Sequence, residues 1–355
     1  MSLFTPIVSS IALGSVVPAR HDGFMSSMSK SIRLFLRLCQ GRLLAARNPE
    51  KVWRVGAQLT NMLQGLSRMP SGCTVNHRVV NGIAIEVIEN TNAGANPDQT
   101  LLFLHGGGFA FGSAANYRAF VARLCKKAGV ARAWVPDYTL MGQAPFPAGL
   151  NDVIAVWKGL LQERGQDELL LGGDSAGGNL SLALCHVLNR EGLKLPARVY
   201  LSSPWLDPSM GMDDCRPSVN DAFLGPDLAR AQDWLKRIFA APYTTGHNPQ
   251  DPLISPLLGD LSRLPPVYVQ CAANEVFMID SLRLVREAQK LGTVCHVDVW
   301  LGLFHDFILC SPRMPEGRAA FTSAAAWIGQ GKLYRPPEFQ SRIRQLSAPV
   351  QQPVV

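Results

Sequence analysis

Residues 168–186 constrain this chain more tightly than any other stretch. Glu168-Leu-Leu-Leu-Gly172 is a short apolar run that reads as a buried strand, and Gly178-Asn-Leu-Ser-Leu-Ala-Leu-Cys-His186 reads as a helix. Gly173-Asp-Ser-Ala-Gly177 stands between them. A strand that becomes a helix within so few residues must turn sharply, and only residues without bulk fit beside the serine. Such a turn lifts the Ser175 hydroxyl clear of the backbone and aims the first helical N–H groups at the same space. An attacking alkoxide and a developing oxyanion both need that geometry. Gly-rich strand–helix turns also occur as plain packing, so the partners of Ser175 decide.

The first partner is His105-Gly-Gly-Gly-Phe109, which follows the strand-like run Thr100-Leu-Leu-Phe-Leu104. A Gly-rich loop after a strand can cradle phosphate. Here no Lys-Ser/Thr follows the glycines and no Gly-x-Gly-x-x-Gly opens a helix. Histidine with three glycines instead resembles the oxyanion loop of lipases and esterases. Gly107 and Gly108, with Ala176 just after the serine, are the expected oxyanion donors. His105 and Gly106 are expected to support the loop rather than to react.

The expected base is His305, which follows the strand-like run 295–301 at a place from which it can reach over the sheet to Ser175. His296 lies inside that strand pattern, and His21, His77, His186 and His247 lie far from any such place. A carboxylate between serine and histidine in chain order completes the set. Glu275 stands at the tip of the strand Pro265–Ala273 and is the expected acid. Asp280, five residues on, is the alternative, more naturally placed in the first turn of the next helix. Asp306 should point away if His305 points in.

The rest of the chain fits around this site. Strand-like runs at 101–104, 131–138, 168–172, 198–203, 267–273 and 295–301 alternate with helix-compatible stretches. That rhythm predicts an α/β fold with a mostly parallel sheet covered on both faces. Val75–Ile88 reads as a hairpin turning at Asn81-Gly82, an antiparallel edge of the same sheet. The apolar residues around Ile7 and Ile11 form only a short, interrupted run, so neither a signal peptide nor a membrane span is read there. Residues 24–47 carry Phe24, Met28, Ile32, Phe35, Leu36, Cys39 and Leu43 at helical spacing, with Lys30, Arg33, Arg37, Arg42 and Arg47 between them. Such a helix either covers part of the protein with a solvated basic face or lies on a membrane surface. From about residue 334 the Pro- and Gln-rich chain reads as a loose tail.

Charge and cysteine usage narrow the partners. The net charge of +7, from 34 basic and 27 acidic residues, is spread along the chain with no run longer than Lys126-Lys127. Nucleic acid is therefore not an expected partner. The eight cysteines form no Cys-x-x-Cys and no metal-ligand spacing. They read as reduced thiols of a cytoplasmic protein that needs no metal or cofactor. Asn179-Leu-Ser181 matches a glycosylation acceptor, but it sits in the helix after the nucleophile.

Taken together, these motifs resemble the hormone-sensitive lipase family of α/β-hydrolases, in its bacterial esterase branch. The resemblance spans about residues 70 to 330 and rests on His105-Gly-Gly-Gly-Phe109, Gly173-Asp-Ser-Ala-Gly-Gly-Asn179 and Ser255-Pro-Leu-Leu-Gly-Asp-Leu-Ser-Arg-Leu-Pro-Pro266. Asp137-Tyr138 and Ala144-Pro-Phe-Pro-Ala148 add to it, and Asn274-Glu275 looks like the variant with Glu as the acid. The chain departs from the family at Leu140-Met-Gly-Gln143, where Leu-Ala-Pro-Glu is usual. The resemblance implies an α/β-hydrolase domain over 71–333 and a helical cap built from 1–70 and from 205–250, with 334–355 as the tail. It also implies a carboxylesterase acting on short to medium acyl esters or lactones, and a small-molecule ester as partner. No stable membrane insertion is implied, and a homodimer is left open. A hydrolase or acyltransferase dedicated to one biosynthetic intermediate, and a non-catalytic receptor on the same fold, are the alternatives; the retained His305 argues against the receptor.

Overall fold

The computed structural model describes residues 25–65, 67–210, 220–225, 227–273, 275–311 and 313–346. Expectations for residues 1–24, for 211–219 with Cys215, for Asn274 and for 347–355 lie outside the described residues.

Two helices come first, α1 (Ser27–Ala45) and α2 (Pro49–Gly65). The hairpin follows: β1 (Cys73–Val80) pairs antiparallel with β2 (Ile83–Asn90). Asn81 and Gly82 turn it with φ of 50° and 88°, the left-handed values such a two-residue turn requires. The alternation then runs β3 (Asn96–Leu104), α3 (Ala114–Ala128), β4 (Val130–Pro136), α4 (Ala148–Arg164), β5 (Glu168–Asp174), α5 (Ser175–Glu191) and β6 (Arg198–Ser202). After α6 (Leu228–Leu235), whose last turns widen through Lys236–Ala240, come β7 (Val267–Ala272), α7 (Met278–Lys290), β8 (Cys295–Trp300), α8 (Pro315–Gln330) and β9 (Ile343–Leu346).

The strands form one sheet in the order β1-β2-β4-β3-β5-β6-β7-β8-β9. The six from β4 to β8 are parallel, and antiparallel pairs stand at both edges. Alternation along each strand separates two cores. Leu102, Leu104, Leu169 and Leu171 face the core under α4, α5 and α7, with Trp157, Leu180 and Leu284. Leu101, Phe103 and Leu170 face the core under α3 and α8, with Phe120, Leu124 and Trp327. The chain runs from β3 to β4 on one side and then back past β3 to β5 on the other. That reversal opens a crevice at the carboxyl ends of β3 and β5, where the two Gly-rich turns lie.

Covering elements meet at the same end. The Arg33 guanidinium on α1 donates to the Gly302 carbonyl at 3.3 Å, and the Gln40 amide donates to the Asp221 carbonyl at 2.6 Å. On α2, the Trp53 indole donates to the Ile238 carbonyl at 3.0 Å.

The expected loose tail from 334 is corrected over 335–346. β9 adds to the edge of β8, with Ile343 opposite Trp300 and Leu346 opposite Val297. Arg335 donates to the buried carboxylate of Asp298 on β8 at 2.8 and 2.6 Å. An edge strand with unpaired backbone groups and a buried charge needs both partners. Pro- and Gln-rich composition conceals that need.

Candidate active site

β5 ends in the tight turn that the sequence demands. Ser175 has φ of 48°, a left-handed value that costs a non-Gly residue about 1–3 kcal/mol. The surrounding glycines make room for it. A Cβ on Gly173 would lie 2.5 Å from the Gly177 carbonyl oxygen, and one on Gly177 would overlap the Leu104 carbonyl oxygen. The elbow thus packs directly on the end of β3. Asp174 ties the two together: its carboxylate accepts from the Gly106 N–H at 3.0 Å and from the Tyr117 hydroxyl at 2.5 Å.

The structure brings the predicted residues together. His305 Nε2 lies 3.1 Å from Ser175 Oγ. Its Nδ1 lies 3.5 Å from Glu275 Oε2, an ion-pair separation longer than a tight hydrogen bond. The Ser203 hydroxyl donates to the same Glu275 oxygen at 2.9 Å. Asp280 is elsewhere, buried in the first turn of α7, where it accepts from the backbone N–H groups of Leu206 and Asp207 at 3.0 and 3.1 Å. It anchors the segment after β6 and does not meet the imidazole.

The glycine loop is held as the sequence suggests. His105 is fully buried, its Nδ1 is 2.8 Å from the Gly106 carbonyl, and its ring stacks on Tyr138 at 4.3 Å. Burial pushes its pKa down to about 4, so it stays neutral. Gly107 and Gly108 take φ of 111° and 62°. A Cβ on Gly108 would sit 2.6 Å from the Phe239 ring, so only glycine lets that ring close over the loop. The departure at 140–143 keeps its support: the Met141 N–H donates to the Phe109 carbonyl at 2.8 Å, and the Gln143 side chain accepts from the Leu140 N–H at 3.1 Å.

Comparison with known proteins places the chain in a family. Residues 101–309, more than half of the chain, match the alpha/beta hydrolase fold family. The chain belongs to that family. It is 33% identical over 271 residues to LipR of Mycobacterium tuberculosis, covering 76% of this chain and 84% of that protein. It is 34% identical over 231 residues to an acetyl-hydrolase of Streptomyces hygroscopicus, covering 65% of this chain and 75% of that one. A crystal structure of an esterase from the bacterial hormone-sensitive lipase family superposes with a TM-score of 0.72 at 30% identity, covering 86% of this chain and 98% of that one. This α/β-hydrolase therefore falls in the hormone-sensitive lipase branch.

Asp306 corrects the sequence reading. Its carboxylate does not point away: Oδ2 lies 3.1 Å from His305 Nε2, the nitrogen that also faces Ser175. Asp306 adopts φ of 53°, its N–H donates to the Ser203 hydroxyl at 3.2 Å, and its Oδ1 accepts from the Ser202 hydroxyl at 3.3 Å. A neutral Nε2 lone pair would repel this carboxylate. The pairing fits the imidazolium, held by Glu275 at one nitrogen and Asp306 at the other.

Two further carboxyls were not legible as neighbours of the site. Asp174 sits inside the serine motif, and its carboxyl is raised by burial and then by the charge of Asp306. Asp221 is buried too. Burial raises its carboxyl, and the charge of His305 and the N–H groups of Phe223 and Leu224 restrain that rise. Burial alone would lower the pKa of His305, but Asp306 and Glu275 outweigh it and raise it well above its ordinary value. Burial lifts Glu275 to about 7. The cluster therefore binds a proton more tightly than its separate groups would.

Aromatic rings wall the site. Phe277 meets the His305 ring edge-on at 5.1 Å, and Phe223 is parallel to it at 6.4 Å. Phe277 stacks on Trp205 at 5.2 Å, and Phe109 stacks on Tyr243 at 3.8 Å. The 205–250 stretch carries no sequence signal that places Asp221 and Phe223 beside His305; tertiary contacts do so.

Two experiments follow from this geometry. Glu275→Gln keeps the shape but removes the charge facing Nδ1, and should lower kcat about a hundredfold. Asp280→Asn should lower kcat less than about tenfold while lowering the melting temperature, because it loosens an anchor outside the relay. Equal losses, or a larger loss at Asp280, would reverse the assignment. Asp306→Asn tests the competing carboxylate. His305 must be neutral to accept a proton, and its raised pKa confines that form to higher pH. Removing the Asp306 charge should move the acid limb of the kcat/KM profile down by about one pH unit or more. Asparagine tolerates the left-handed backbone as aspartate does. A limb that stays in place or moves to higher pH contradicts the pairing.

Proposed function

We propose that this protein is a serine carboxylesterase acting on short acyl esters or lactones through an acyl-enzyme. The Ser175–His305–Glu275 relay beneath the 105–109 glycine loop carries the reading. Ser175 Oγ attacks the ester carbonyl carbon as His305 Nε2 takes its proton. The N–H groups of Gly107, Gly108 and Ala176 receive the oxyanion, each such donor being worth about 3–4 kcal/mol in related chemistry. Glu275 steadies the imidazolium. The intermediate collapses, the C–O bond to the alcohol breaks, and the alcohol takes its proton from His305. Water, deprotonated by His305, then attacks the acyl carbon and releases the acid and Ser175. The cycle calls on no metal or cofactor.

We read α1, α2 and the 205–250 segment as a cap on a catalytic domain spanning 71–333. Its contacts support this, since Phe239 lies over Gly108 and Phe223 beside His305. Rings this close to the reacting groups favour a short acyl chain, and a similar protein bears the name acetyl-hydrolase. We assign the protein to the cytoplasm, a reading supported by free thiols at all seven described cysteines. Among the described residues no helix is long and apolar enough to cross a membrane.

Purified protein should be assayed on p-nitrophenyl esters from acetate to dodecanoate. The expected kcat/KM peaks between acetate and butyrate and falls about tenfold or more by decanoate. Phe239→Ala should shift the preference toward longer chains. A profile that rises with chain length would contradict the short-acyl reading, and turnover equal to that of Ser175→Ala would contradict catalysis by this site.

A further inference from the structure

α1 is apolar on two faces, and only one of them is used. Its inner face is fixed to the body: Met25 and Ser29 are buried, Ile32 and Leu36 pack on the core, and the Ser29 hydroxyl donates to Glu316 at 2.7 Å. Its outer face carries Leu34, Phe35 and Leu38 at 60, 63 and 74% exposure, with Met28 at 47%. At about 100° per residue these four fall within about a third of the helix circumference, centred about 130° round the helix from the inner residues. The pattern is local. Of the twelve exposed large hydrophobic side chains among the described residues, four are on α1 and three more, Val55, Leu59 and Met62, lie along one stripe of α2. Scattered apolar residues need no explanation, whereas a contiguous face does.

Charge indicates what covers it. Residues 24–49 hold Lys30, Arg33, Arg37, Arg42 and Arg47 and no Asp or Glu. Arg37 donates to the Asn220 side-chain amide oxygen at 2.7 Å, a neutral acceptor. A second copy docking through this face about a twofold axis would set one basic helix against another. We propose that the outer face of α1 docks this protein onto anionic lipid surfaces, lying along the interface with Leu34, Phe35 and Leu38 in the acyl boundary. The helix is also tied to the site. Arg33 holds Gly302, three residues before His305, and Gln40 holds Asp221. Docking would therefore present the catalytic end near lipid, where apolar esters concentrate.

The test is binding, read without hydrolysis. Full-length protein carrying Ser175→Ala is sedimented with phosphatidylcholine vesicles, with and without phosphatidylglycerol. Binding to the anionic vesicles alone is expected, and it should be lost in 1 M salt, where screening shortens to about 3 Å. Replacing Leu34, Phe35 and Leu38 together by Gln should weaken partitioning about tenfold or more. In an otherwise wild-type chain, the same three replacements should leave the melting temperature and acetate-ester hydrolysis unchanged. Absent binding, binding equal on neutral vesicles, or binding that survives the triple replacement overturns the proposal. So does a wild-type dimer that becomes monomeric in that variant, which would assign the face to a second copy.

Discussion

The catalytic end depends on how closely the β5 elbow packs against the end of β3. The Cα of Gly177 faces the carbonyls of Leu104 and His105, where any side chain would overlap them. This contact makes the glycine loop and Ser175 neighbours although they are about seventy residues apart in sequence. Asp174 then fixes their spacing through Gly106 and Tyr117. The left-handed backbone of Ser175 costs about 1–3 kcal/mol, and it persists because the packing leaves no relaxed alternative.

Electrostatics sets the second constraint. A lone buried carboxylate costs several kcal/mol. Glu275 avoids that cost only in part, with one hydroxyl from Ser203 and the imidazole of His305. Asp306, Asp221 and Asp174 crowd the same region, and protonating His305 relieves the whole group. A more basic imidazole is better at taking the Ser175 proton and worse at giving it to the leaving alcohol. In the proposed mechanism Asp306, beside His305, is therefore a positioning residue that sets the balance between the two halves of the reaction.

Much of this was legible in the sequence because close packing demands particular residues at particular spacings. The two Gly-rich turns, the Asn81-Gly82 hairpin and the six parallel strands follow from steric and periodic rules that act locally. Glu275 at a strand tip and Asp280 one helical turn later could be told apart by the same reasoning. Asp306 could not, because its direction depends on a backbone φ of 53° and on Ser202 and Ser203 from another strand end. Asp221 and Phe223 were hidden for a similar reason: their place beside His305 rests on contacts remote in sequence, among them the Gln40 amide of α1 on the Asp221 carbonyl. β9 was missed because edge pairing requires only a partner strand and tolerates a composition that otherwise reads as loose chain.

The central claim is that His305 activates Ser175, and a fluorophosphonate probe tests it most directly. Labelled protein is digested and its peptides are mapped by mass. The account predicts one adduct, on Ser175, whose formation slows about a hundredfold or more when His305 is replaced by alanine. An adduct on another serine, or labelling of Ser175 at an unchanged rate without His305, would contradict it.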